Sequence, residues 1–367
     1  MIRRVGVFII AVGVASIGYG MGLCDYRVPV TESLLGKVSF FYQHVDDPAL
    51  SGVALSTGWL EFDARRQHDS ATEGFTLAGK GQLRFRNLGL VQATLGGSAA
   101  VRQYLQGPLP LFTFGGVEAA LDTANPQPRA EAQAGLGYGR FFNVTPLAKA
   151  LQIDAMLLAR GAIPSALGED VVLAVAAAIG GEGTAAERAE HVVALVEQTL
   201  RDQSLSRKLD AATGLAIEEI IAQAGRERFC GWTVHAGMAY EILDPQGGSR
   251  DLLLALAVDA AVAPEPNSQL LLRTRISGPY WITEQYTLSL DVSFDVRIND
   301  SLSFSTRYAL FLDKPLGQVP AGMQSATFQL EITLGALGVV LQMEFAKLAE
   351  SPAWKQSILI TATAYLW

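Results

Sequence analysis

Long stretches of this chain alternate between apolar and polar residues. In the segment from Phe75 to Arg86, Phe75, Leu77, Gly79, Gly81, Leu83 and Phe85 take the odd positions, and Thr76, Ala78, Lys80, Gln82, Arg84 and Arg86 the even ones. Successive strand side chains point to opposite faces, so the pattern predicts a strand with one greasy and one charged face. Tyr286, Leu288, Leu290, Val292, Phe294, Val296 and Ile298 alternate in the same way with Thr287, Ser289, Asp291, Ser293, Asp295 and Arg297. That run exceeds the roughly 5–6 residues of an ordinary soluble strand and suits the roughly 9–11 needed to cross a bilayer at a tilt. The same rule predicts strands over 37–46, 51–64, 74–87, 89–104, 109–122 and 129–142. It predicts eight more over 229–243, 250–263, 268–278, 282–298, 300–312, 324–334, 336–347 and 354–367. The total is fourteen, and 12 or 16 also fit the even strand numbers of single-chain barrels.

Between Asn143 and Gly225 the period becomes helical. Thr145 followed by Pro146 predicts a helix start, with Thr145 as cap and proline where no donor is needed. Further helices are expected over 165–179, 185–202 and 215–224, the one over 185–202 placing Val192, Leu195, Val196, Thr199 and Leu200 on one face. Four short amphipathic helices can share a core, so residues 143–226 read as a small helical domain inserted between barrel strands 37–142 and 227–367. If the chain enters from the periplasm, six strands return it there, which puts the insert on the periplasmic side and makes that side the one with a candidate protein partner, bound through residues 145–225.

Composition leads to the same architecture by elimination. Half the residues are hydrophobic and only 17% are charged, against about a quarter in an average soluble protein. Beyond the extreme N-terminus no run of roughly 20 apolar residues offers a spanning helix. A closed barrel is then the way to satisfy every backbone N–H and C=O in lipid. Residues 1–22 read as a signal peptide: Arg3 and Arg4, an apolar stretch from Val5 to Ala15, then small Ser16, Gly18 and Gly20. Residues 23–36 are left as a periplasmic segment, in which the stretch from Asp25 to Gly36 is a candidate plug. Leu23, where a lipobox wants a small residue, argues against lipidation of Cys24.

The last residues, Tyr365 and Trp367, close an alternating strand with an aromatic. In this the chain resembles bacterial outer-membrane β-barrels of the porin-like kind, and the resemblance implies that the terminus is an assembly signal read by the barrel assembly machinery. Trp59, Trp232, Tyr240, Tyr280, Trp281, Tyr308 and Trp354, with Trp367, are expected as interfacial girdles. The expected fold is an all-β transmembrane antiparallel barrel in the outer membrane with a periplasmic α-helical insert.

The candidate functional residues are those that alternation turns toward the lumen. They are Lys80, Arg84, Arg86, Arg102, Arg273, Arg275, Asp291, Asp295, Arg297, Arg307 and Glu331, which could set a transverse field across a pore or form a structural ion-pair network. Gly135, Gly137 and Gly139 fall on one face of strand six, where glycines mark a bend or a close approach; the insert or the N-terminal segment is expected to pack there. A net charge of −8 with no basic cluster argues against nucleic acid. His44, His68, His191 and His235 show no metal-ligand spacing, and no cofactor motif is present. His44 near Asp46 and Asp47 is the one loose catalytic candidate, without a G-x-S-x-G elbow beside it. Cys24 and Cys230 fall on the same side of the barrel and could be bonded in an oxidising compartment; two independent thiols is the simpler expectation. The leading function is a passive pore for small solutes, against a docking barrel with a blocked lumen and, third, a lipid-modifying enzyme.

Overall fold

The computed structural model describes residues 22–25, 30–45, 55–107, 109–125, 127–202, 208–223, 227–244, 252–299, 301–334, 337–348 and 353–364. Fourteen strands form one sheet in chain order, each antiparallel to the next. They are β1 (Val30–Val45), β2 (Leu55–Ser70), β3 (Glu73–Arg86), β4 (Gly89–Tyr104), β5 (Leu111–Asp122), β6 (Arg129–Asn143), β7 (Phe229–Leu243), β8 (Leu252–Val262), β9 (Ser268–Gly278), β10 (Tyr286–Asn299), β11 (Leu302–Lys314), β12 (Ala321–Leu334), β13 (Leu337–Leu348) and β14 (Lys355–Ala364). Their lengths, from 10 to 16 residues, are those of bilayer-crossing strands. No helix is long and apolar enough to cross a membrane among the described residues.

The registers fix which residues share a face. Arg102 of β4 lies opposite Phe114 of β5, Phe114 opposite Gly135 of β6, and Gly135 opposite Gly237 of β7. The row continues through Ala255, Ser277, Thr287 and Asp313 on β8 to β11. Directly opposed residues point the same way, so this row marks one face across the sheet. The other face carries Leu77, Val101, Val117, Leu136, Met238, Leu256 and Phe328, each more than 40% exposed. A continuous apolar surface of that extent, left open to the surroundings, is a lipid-facing one. Asp259 of β8 reaches within 4.0 Å of Arg102 on β4, and Glu131 of β6 lies 3.2 Å from Arg275 on β9. Contacts between strands that are not neighbours require the sheet to curl around its polar face.

The connections differ at the two ends. β2–β3, β8–β9 and β10–β11 are joined by two, five and two residues, at the end where β6 delivers the chain to the helices. At the opposite end residues 244–251, 279–285 and 315–320 bridge β7–β8, β9–β10 and β11–β12. Short turns are not confined to the helix end: β3–β4 at the opposite end is joined by two residues, and β4–β5 at the helix end by six.

Four helices make up the insert: α1 (Thr145–Ala159), α2 (Glu169–Gly180), α3 (Ala185–Asp202) and α4 (Ala211–Ala222). Leu147, Ile153, Leu157, Val175, Val192, Val196 and Ile217 are fully buried against one another. Each such burial stabilises by roughly 1.5–3 kcal/mol, enough together to hold helices that would be marginal alone. Thr145 does not cap α1 as expected. Its hydroxyl accepts from the backbone N–H of Arg228, and Asn143 Oδ1 takes the Thr145 N–H. Helix α4 starts earlier than its apolar pattern because Asp210 accepts from the Thr213 N–H at 2.8 Å. Asp210→Ala should lower the stability of the insert by about 1 kcal/mol in denaturant titration.

Two further expectations change. Residues 30–36 are not plug but the first half of β1, paired with Ala64 to Ser70. Both faces of that pairing are polar: Glu32 meets Arg66 at 3.4 Å and His68 at 3.1 Å. Strand hydrogen bonds there run past the lipid-facing band, where alternation no longer reports them. Cys24 and Cys230 are bonded to each other rather than free. Their bond joins the short 3₁₀ turn Leu23–Asp25 to the start of β7, with Leu23 buried in the insert's core. It also leaves the Cys24 sulfur with no position for a lipid.

Candidate functional site

The polar face of the sheet is the site. Its geometry is set by alternation on the strands and by arginines long enough to reach across non-adjacent walls. Asp259 on β8 is the hub, 4.0 Å from Arg102 and 3.8 Å from Arg273. Beside it Arg275 and Arg129 both bind the buried carboxylate of Glu131, at 3.2 and 2.7 Å. Arg307 Nε donates to Asp291 at 2.6 Å across the β10–β11 pair. A cavity of about 510 Å³ is bounded by Arg102, His235, Asp259, Arg275, Asp291 and Arg307. A second, of about 410 Å³, lies toward the helix end between Arg65, Asp295, Arg297, Ser303 and Glu331. Arg273 lines both cavities, so the Arg102–Asp259–Arg273 cluster stands between them.

The segment leading from the insert into β7 forms the floor of the second cavity. Glu227 lies 3.8 Å from Arg65 on β2 and accepts from the Ser33 hydroxyl on β1 at 3.1 Å. Arg228, nearly inaccessible, reaches Asp295 on β10 at 2.9 Å and the Pro266 carbonyl in the β8–β9 turn at 3.2 Å. Two consecutive charges thus tie the helical insert to strands on both sides of β7. Neither stood out in the sequence, because only an irregular segment flanking a strand places them there.

Eight of the eleven charges picked out by alternation meet in these two cavities: Arg102, Arg273, Arg275, Asp291, Asp295, Arg297, Arg307 and Glu331, the last accepting from the Ser303 hydroxyl at 3.1 Å. Lys80 shares the face but sits nearer a separate hollow with Gln82, Asp122 and Arg129. Arg84 and Arg86 lie on the same face at the end of β3 away from the helices, where Arg84 takes a bond to Gln82 Oε1 at 2.9 Å.

Gly135, Gly137 and Gly139 are on the polar face too, yet among the described residues it is strand neighbours, not the insert, that lie against them. Phe112 and Phe114, their partners on β5, lie over Gly137 and Gly135. A Cβ at Gly137 would stand 2.1 Å from the Phe112 ring, and one at Gly135 2.7 Å from Phe114. Gly139, at φ +100°, adopts a backbone that other residues rarely tolerate. Phe112 is completely buried, with Tyr104 and Phe114 at its edges and the Arg102 guanidinium 5.7 Å above it. The signal was present as matching Phe-x-Phe and Gly-x-Gly strings, but only register shows that they meet.

Of the expected girdle, Trp232 and Tyr240 lie near opposite ends of β7 and are exposed on the apolar face, and Tyr280, Trp281 and Trp354 are exposed beyond strand ends. Two residues depart from it. Trp59 pairs with Arg84 and so lies on the polar face, and Tyr308 sits in mid-strand opposite Val292. Tyr365, Trp367 and the side chain of His44 lie outside the described residues. His235 rests against Phe114 with no hydrogen bond to a hydroxyl, so no nucleophile–base pair forms around it. Among the described residues no group of three or more His, Cys, Asp or Glu side chains could hold a metal ion.

A curled fourteen-stranded antiparallel sheet, greasy outside and charged within, defines a transmembrane β-barrel. No family model matches the chain, and no curated protein does. Among solved structures it is similar to the crystal structure of OpdQ from Pseudomonas aeruginosa, at 9% identity and a TM-score of 0.31, over 92% of this chain and 99% of that one. A likeness at that TM-score carries no argument, and the assignment of class rests on the strands and faces themselves.

Proposed function

We propose that the barrel is a passive pore for small polar solutes in the bacterial outer membrane, with its helical insert on the periplasmic side. The observation that carries this reading is the pair of charge-lined cavities stacked along the polar face and divided by Arg102, Asp259 and Arg273. An interior built for stability alone favours close apolar packing, since desolvating ion pairs returns little. A passage for water and solutes needs polar walls and fixed charges of both signs. Strand parity supports the sidedness, because a chain that enters from the periplasm is back on that side after the six strands that precede the insert.

Solute-induced swelling of proteoliposomes tests the pore reading. Vesicles carrying the protein should swell in amino acids or small sugars at rates that fall with solute size. Selectivity should follow the central cluster: Arg273→Glu adds acid beside Asp259, and a local change of about 1 kcal/mol alters a permeability ratio about fivefold. Reversal potentials in a salt gradient should move toward cation preference by that order. An unmoved potential in a conducting variant removes Arg273 from the permeation path.

The second reading, a docking barrel with a closed lumen, is favoured by one observation. Glu227 and Arg228 floor the lower cavity. Under that reading the vesicles stay silent and the insert captures a periplasmic protein.

A further inference from the structure

Outside the lumen, the insert and the rim of the sheet enclose a cleft of about 670 Å³. Its lining includes the start of α1, the α2–α3 connection and the first residues of β1. Lys149 and Arg188 both line it, and neither has a carboxylate partner among the described residues. The Lys149 ammonium donates to the carbonyls of Ile221 and Gln223, at 2.7 and 2.9 Å, which leaves one N–H. The Arg188 guanidinium gives one N–H to the Ile179 carbonyl at 3.1 Å, and its buried Nε has no partner. Each head group is thus held by carbonyls at a helix C-terminus and keeps donors to spare.

The acids nearby do not neutralise this pair. Glu32 is engaged by Arg66 and His68, and Glu227 by Arg65 and Ser33. Glu182 lines the cleft but is exposed to solvent at its rim. Burial, with Arg188 adding repulsion, pushes the Lys149 pKa down to about 8. Burial also lowers that of Arg188. Two cations in one cleft with unused donors repel each other unless an anion lies between them, and an anion able to accept from both is the group that completes such a site.

We infer that Lys149 and Arg188 form a binding site for a phosphate-type oxyanion, placed between the helical insert and the rim of the barrel. Free phosphate and the phosphate of a lipid headgroup offer the same oxygens, and the cleft borders both solvent and the membrane-spanning strands. The inference is independent of whether the lumen conducts.

Isothermal titration of the full-length protein in an uncharged detergent tests it, with inorganic phosphate in one arm and short-chain phosphatidylglycerol in the other. Saturable binding should appear in at least one arm. It should weaken at least tenfold in Arg188→Gln and in Lys149→Gln, with the far-ultraviolet circular dichroism unchanged. A response to phosphate identifies a soluble ligand, and a response confined to phosphatidylglycerol identifies a headgroup. Should both variants lose their fold, the parent protein decides. Its Lys149, with a lowered pKa, should be readily methylated by formaldehyde and borohydride, and the ligand that binds should suppress that modification. No binding in either arm, binding unchanged in folded variants, or Lys149 methylation indifferent to both ligands overturns the site.

Discussion

Gly137→Val yields a chain that does not reach the folded, heat-modifiable form on electrophoresis. The added Cβ alone would stand 2.1–2.6 Å from three atoms of the Phe112 ring, and the two methyls of valine extend further into it. The ring cannot move aside cheaply. It is fully buried, braced by Tyr104 and Phe114 and covered by the Arg102 guanidinium. Overpacking of a closed site costs about 1–3 kcal/mol for ordinary insertions, and a clash with an immobile ring belongs at or above the upper end. Removing the ring should relieve it, so Gly137→Val with Phe112→Ala should fold better than Gly137→Val alone. Gly79→Ala is the control, because its Cβ would meet nothing closer than 4.0 Å. A Gly137→Val barrel as stable as the parent would show that the aromatic cluster is loosely packed.

The other large effect comes from the disulfide. Cys24 and Cys230 are 206 residues apart in sequence, and their bond closes a loop holding β1 to β6 and the whole insert. Constraining so long a loop in the unfolded chain stabilises the folded one by about 5 kcal/mol on the chain-entropy account, and native disulfides typically contribute 2–5 kcal/mol. Cys230→Ala should therefore lower the unfolding midpoint in guanidinium strongly, and reductant should do the same to the parent and nothing further to the variant. The folded parent should also migrate differently on reduced and non-reduced gels, whereas Cys24→Ala should show no such difference.

Why some of this was legible in the sequence and some not follows from the range of each interaction. Period-two alternation is a local signal, and it located the strands wherever one face meets lipid and the other meets charge, as in β3 and β10. It failed where both faces are polar. The second half of β2, from Asp63 to Ser70, carries Arg65, Arg66, Gln67 and His68, and its pairing with residues 30–36 comes from ion pairs that no periodicity announces. The insert's helices were legible from their apolar spacing, but their boundaries moved where side chains found distant partners. Thr145 bonds Arg228, 83 residues away, instead of capping its own helix.

The candidate site divides in the same way. Parity alone singled out Arg273, Arg275, Asp291 and Arg307, and the registers place them on one face. The hub residue Asp259 and the floor residues Glu227 and Arg228 were not singled out. Asp259 is a lone acid in an apolar strand, and its importance comes from Arg102, four strands away, and Arg273. The disulfide is likewise a matter of spatial proximity, which two cysteines far apart in sequence cannot declare. The glycines of β6 were legible as a place of close approach, but the identity of the approaching group depended on a cross-strand register.

Single-channel recording of the purified full-length protein in a planar lipid bilayer tests the central claim most directly. The account predicts discrete, stable conductance steps, whose ion selectivity shifts when Arg273 is replaced by glutamate. Electrical silence from protein that is demonstrably folded and heat-modifiable would contradict it.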